Sequence, residues 1–124
     1  MLHRFAAGFN PPYISATPEV NVFDISANDE FIVMASDGVW DELDNQMVVD
    51  IVSEVLKKGN SVEVAANTVV ESCLSHAAST YSTLLLPAER NELTPKQLKG
   101  LQAGQRRRFH DDMSVIIIKL HPGS

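Results

Sequence analysis

One cysteine in 124 residues is too few for an internal disulfide or a cysteine-pair zinc site, and it fits a reducing, intracellular compartment. No apolar run approaches the roughly 20 residues that a membrane helix requires, so a soluble chain with no membrane partner is expected. The sequence holds no internal repeat and no low-complexity segment. Bases are almost missing between residues 19 and 71, where Lys57 and Lys58 stand against twelve acids; residues 72–124 carry seven bases and four acids. That imbalance, within a net charge of -6, disfavours nucleic acid as a partner and suits either cation binding or a solvated acidic face.

The 44% hydrophobic and 21% charged content is that of a folded domain, and the length allows one domain or a portion of one. The first eighteen residues carry His3 and Arg4 and no acid, a faint likeness to a mitochondrial presequence, but Pro11-Pro12 makes a poor amphipathic helix. Cytoplasmic and mitochondrial locations both stay open. Cys73 falls within an apolar helical pattern and is expected to be a buried thiol.

Two apolar runs anchor the pattern. Phe31 to Ala35 leads into Ser36-Asp37-Gly38, the pattern of a buried strand that delivers a carboxylate into a turn. Residues 113–120 form the second strand. Neither run alternates cleanly, which predicts cover on both faces. Val20, Val22 and Ile25 alternate before the Ser26–Asp29 turn, predicting a strand over Glu19–Ile25 and a hairpin with the next one.

Between the two runs, Asn45 is positioned to cap a helix from Gln46 to about Lys58, with Gly59 as its stop. Ser61 can cap a second helix through Ala77. Tyr81 to His110 is a long connection with one short helix near Lys96–Leu101. The two amphipathic helices cover one sheet face, and nothing in the chain covers the other. The chain is then either the C-terminal portion of a larger layered domain or one member of a pair of copies; the residues leave the oligomeric state undetermined.

Asp37 follows one strand, and His110-Asp111-Asp112 precede the other. If the strands are antiparallel neighbours, both acids reach the same sheet edge. Oxygen ligands of this kind suit Mg²⁺ or Mn²⁺, which need only one or two carboxylates and keep several waters. Asp41, beside Trp40, can reach the same region if the indole packs inward to hold the turn. Aspartates at strand ends also serve plain turns, and the spacing alone leaves both readings open.

The order D-E-F-I-V-M-A-S-D-G-V-W-D, followed much later by R-R-F-H-D-D-M-S-V-I-I-I, resembles the metal-dependent type 2C protein serine/threonine phosphatases, over Pro11 to Leu120. The opening P-P-Y-x-x-A-x-P-E-V resembles the pyruvate dehydrogenase phosphatase and plant-type branches. The resemblance implies an α+β fold, an αββα sandwich of two antiparallel sheets between helical layers. It also implies that Asp37 and Asp111 bind the catalytic Mg²⁺ or Mn²⁺ ions and that Asp41 lies at an additional metal site. Gly38 and Asp112 then stand behind the ligands.

The implied reaction is hydrolysis of phosphoserine or phosphothreonine in a phosphoprotein by metal-activated water, with no protein nucleophile. The family's D-G-H-G segment, upstream glutamate and phosphate-binding arginine have no counterpart here, because the only Asp-Gly is Asp37-Gly38. Residues 1–124 are therefore expected to be a C-terminal portion, inactive by itself. Arg106, Arg107 and Arg108 offer a substitute phosphate clamp, a solvated loop or a docking surface. The competing functional class is a non-catalytic regulatory or binding module that keeps this half of the fold.

Overall fold

The computed structural model describes residues 14–84, 94–102, 105, 107 and 109–121. In chain order the elements are β1 (Phe31–Ala35), α1 (Asp37–Trp40), α2 (Asn45–Lys57), α3 (Val62–Leu84), α4 (Pro95–Gly100) and β2 (Val115–Lys119). The result is an α+β architecture around a two-stranded antiparallel sheet.

Strands β1 and β2 pair from Phe31 opposite Lys119 to Ala35 opposite Val115. Their β-branched residues suit the pleat, but two strands bury little by themselves and need a covering layer. Phe31, Val33, Ala35, Val115 and Ile117 pack against a core that includes Val39, Val48, Val52, Val69 and Cys73. Among the described residues one face of the sheet is covered and the other is open, as the count of helices in the sequence led us to expect. Ile32, Met34, Ile116 and Ile118 alternate onto the other face and remain 40–56% exposed, because α2 and α3 lie on the opposite side.

Helix α2 begins one residue earlier than the sequence suggests. Asp44, not Asn45, is the N-cap: its carboxylate accepts the Met47 amide at 2.8 Å. Two good capping residues stand side by side, and the one in extended conformation takes the role. Asp44→Ala is expected to cost about 1 kcal/mol, read as a lower melting temperature of the purified protein. Gly59, at φ 81°, supplies the left-handed residue that stops the helix.

Ser61 caps α3 through the Val64 amide, and α3 continues to Leu84, well past Ala77. The helix closes the core with Ala65, Val69, Cys73 and Ala77. A Thr94–Gln97 capping box and Pro95 start α4, whose Leu98 is fully buried.

The strand expected over Glu19–Ile25 does not form. Val20, Val22, Phe23 and Ile25 are 61–89% exposed, and the Ser26–Asp29 turn leads into β1 without a hairpin. An alternating pattern marks a face but supplies no partner, and among the described residues β1 pairs only with β2.

Candidate metal-binding edge

The antiparallel pairing determines where the acids meet. The C-terminal end of β1 and the N-terminal start of β2 share one sheet edge, and the register carries on past the last strand pair. The Ser36 amide donates to the Ser114 carbonyl at 3.0 Å. Carrying the register three places beyond Ala35–Val115 sets Gly38 across from Asp112.

The backbones at that point lie close together. A Cβ on Gly38 would fall inside the van der Waals envelope of the Asp112 carbonyl oxygen, 3.0 Å from its carbon and 3.2 Å from the Asp111 carbonyl carbon. Glycine is required here for close approach, not for an unusual φ. Segments 37–38 and 111–112, 74 positions apart in the sequence, are thus in direct backbone contact.

Ser36 reinforces the contact. Its hydroxyl donates to the Asp112 carbonyl at 3.0 Å and accepts the Ser114 amide at 3.0 Å. Trp40 braces the same turn from the other side, its indole N–H donating to the Ala35 carbonyl at 3.1 Å. The indole is not packed inward as expected: it is 38% exposed, at the rim of a shallow hollow with Phe31, Val33 and Val49. Anchoring the polar N–H to the strand end and leaving the ring edge wet satisfies both parts of the side chain.

Asp37 opens α1, a single helical turn in place of the simple turn suggested by the sequence, and its Oδ1 accepts the Gly38 amide at 3.0 Å. Asp111 Oδ1 accepts the Asp112 amide at 2.7 Å. Asp41 lies one helical turn after Asp37, its amide bonded to the Asp37 carbonyl at 2.8 Å. All three are exposed, and among the described residues none has a cationic partner.

Asp112 differs, because its Oδ2 pairs with the Arg107 guanidinium at 3.2 Å. Arg107, one of the three arginines offered as a phosphate clamp, thus engages this carboxylate through one guanidinium nitrogen. Arg106 and Arg108 lie outside the described residues, as do residues 85–93 of the long connection.

The donor set suits a hard divalent cation in chemistry but not in number. Asp37 and Asp111 offer carboxylate oxygens held by single backbone amides, which leaves acceptor capacity for a cation. Among the described residues no three or more His, Cys, Asp or Glu side chains gather closely enough to hold an ion. These residues therefore fit part of a coordination shell, with water or groups from elsewhere completing it.

Among the described residues, His110 and His76 are engaged elsewhere and Cys73 is a buried free thiol. His110 Nδ1 lies 2.7 Å from the Asp111 carbonyl, so it carries the proton and donates. His76 pairs with Glu42 at 2.8 Å. Cys73 is fully buried; burial, helped by the negative charge of Glu42, pushes its thiol up to about 11. Folding thus favours the neutral thiol. That contribution is complete below the ordinary thiol range and is lost as pH rises towards 11. Cys73 is expected to resist alkylation at pH 8 in the native protein and to react promptly once it is unfolded in guanidinium, measured by mass spectrometry.

Sequence reasoning missed Ser36 and the Arg107–Asp112 pair. The signal for Ser36 was its position beside Asp37, but only the strand register shows what its hydroxyl meets.

A short strand pair, backed by helices on one face and carrying aspartates at one end, is an α+β piece with a carboxylate edge. The protein phosphatase 2C family model matches residues 4–81, and the chain belongs to that family. It is 35% identical over 119 residues to probable protein phosphatase 2C 67 of Arabidopsis thaliana, covering 96% of this chain and 28% of that protein. Identity to probable protein phosphatase 2C 48 of Arabidopsis thaliana is 34% over 118 residues, 95% of this chain and 27% of the relative. Identity to probable protein phosphatase 2C 28 of Oryza sativa subsp. japonica is 33% over 117 residues, covering 94% and 26%. The chain spans about a quarter of the length of these relatives. No solved structure matches. Among the described residues no helix is long and apolar enough to cross a membrane.

Proposed function

We propose that the chain is the C-terminal portion of an intracellular, metal-dependent protein serine/threonine phosphatase and contributes one side of its metal centre. The observation that carries this reading is the backbone contact between Gly38 and Asp111–Asp112, which sets Asp37 and Asp111 at one sheet edge. Family membership and the names of the relatives point the same way.

In this reading Asp37 and Asp111 hold Mg²⁺ or Mn²⁺, and Asp41 holds a further ion from the next helical turn. Bound metal would supply a water of lowered pKa and neutralise charge on a phosphoserine or phosphothreonine of the substrate protein. Single backbone amides hold Oδ1 of Asp37 and Oδ1 of Asp111, and the remaining carboxylate oxygens would be available to the ion. Asp112, paired with Arg107, holds the loop behind Asp111 and leaves coordination to its neighbour.

The open face of Ile32, Met34, Ile116 and Ile118 supports the rest of the fold in this account. It is apolar and exposed within this chain, and in an αββα sandwich it receives the second sheet. The same absent portion would bring the remaining metal ligands and a phosphate-binding group. A non-catalytic module is less favoured, because the acids keep both the spacing and the backbone contact that ligation requires.

The full-length protein is expected to hydrolyse a phosphoserine peptide with Mn²⁺ and to stop when the ion is chelated, whereas residues 1–124 alone show no turnover. Full-length activity that is indifferent to chelation would overturn the proposal.

A further inference from the structure

We propose that Ser36 is a positioning residue for the metal edge: its side chain fastens the Asp111–Asp112 segment to the Asp37 turn and so fixes the spacing of the two carboxylates. The inference rests on the reading of Asp37 and Asp111 as metal ligands.

Three bonds carry it. The Ser36 amide donates to the Ser114 carbonyl at 3.0 Å, which a strand would do with any residue except proline. The hydroxyl adds what the backbone cannot. It donates to the Asp112 carbonyl and accepts the Ser114 amide, each at 3.0 Å, so one oxygen bridges groups on both sides of Met113. The entry to β2 is therefore held at two successive peptide groups, with Asp111 just beyond them.

On the other strand, Ser36 immediately precedes Asp37 and occupies the N-cap position of α1, yet its hydroxyl makes no cap bond to that helix. Serine at such a position ordinarily turns its oxygen to the helix amides. Here the oxygen reaches across to the partner strand instead. Gly38 acts with it, since the pull of the hydroxyl is useful only where no Cβ keeps the Asp112 carbonyl away.

Alanine at 36 removes both side-chain bonds and keeps the backbone pair. The Asp112 carbonyl and the Ser114 amide then turn to water, and the segment bearing Asp111 gains freedom relative to Asp37. Threonine keeps the hydroxyl on an extended backbone, at φ -75° and ψ 165°, that accommodates a β-branched residue.

The test measures Mn²⁺ affinity of the full-length protein by electron paramagnetic resonance, beside its melting temperature and the exchange rate of the Ser114 amide. Ser36→Ala is expected to weaken Mn²⁺ binding about tenfold, the low end for supports behind a ligand. It should also speed exchange at Ser114, while Ser36→Thr stays within about twofold of the parent. Ser36→Cys, whose sulfur keeps the bulk but bonds weakly, is expected to weaken Mn²⁺ binding as well and replaces alanine if that variant does not fold. Unchanged Mn²⁺ affinity in Ser36→Ala, or a threonine variant as weak as alanine, would overturn the positioning role. If Asp37→Asn and Asp111→Asn weaken binding while Ser36→Ala does not, only this inference fails; if none of the three matters, the metal assignment fails with it.

Discussion

Gly38→Ala is expected to lower stability by about 1–3 kcal/mol, the range for forcing extra bulk into a packed contact, and to cut metal-dependent turnover of the full-length protein on the order of a hundredfold. The atoms that a new methyl would meet are backbone, at Asp111 and Asp112, and not the yielding end of a side chain. Either the α1 turn or the entry to β2 must move, and both carry a proposed ligand. A shift of about 1 Å in a catalytic array costs about 10²-fold, which is why the effect on activity should exceed the effect on folding. Urea titration and a phosphopeptide assay on the same preparation separate the two. A variant within twofold of the parent in both measurements contradicts the close approach.

The second large effect concerns the acids themselves. Asp37→Asn and Asp111→Asn each keep the shape and one oxygen but remove the charge, and each should raise the Mn²⁺ concentration for half-activation by about a hundredfold or more, beyond what supporting residues typically contribute. Asp112→Asn should do much less. Its carboxylate is paired with Arg107, and both side chains are largely exposed, so the change removes a surface ion pair worth at most about 1 kcal/mol. The contrast between neighbours 111 and 112 is the informative part. Equal effects at the two positions would mean that the assignment between them is wrong.

Much of the scaffold could be read from the residues because its signals are local. The apolar runs at Phe31–Ala35 and Val115–Ile118, the glycine at 59 and the capping group at Ser61 each act within a few positions. What could not be read depended on partners distant in sequence. Val20 and Val22 alternate as strand residues do, yet the segment stays exposed because a strand needs an edge to pair with. Trp40 read as an indole packed inward to hold the turn; it holds the turn through its N–H on the Ala35 carbonyl, with the ring partly exposed.

The site divides along the same line. Asp37 and Asp111 stood out because each adjoins an apolar run, and antiparallel pairing then brings them together. The reason for Gly38 was not visible, since its glycine serves a contact with Asp112 and not the turn. The double role of the Ser36 hydroxyl was hidden in the same way, behind a register that single residues do not encode. The open sheet face, by contrast, was foreseeable from unbroken apolar strands and too few helices to cover them.

The measurement that bears most directly on the account is Mn²⁺-dependent hydrolysis of a phosphoserine peptide by the full-length protein carrying Asp37→Asn and Asp111→Asn together. The account predicts loss of turnover to the level of the chelated parent, with the melting temperature of the metal-free protein nearly unchanged because both acids are exposed. Parent-like turnover in a folded double variant would contradict it.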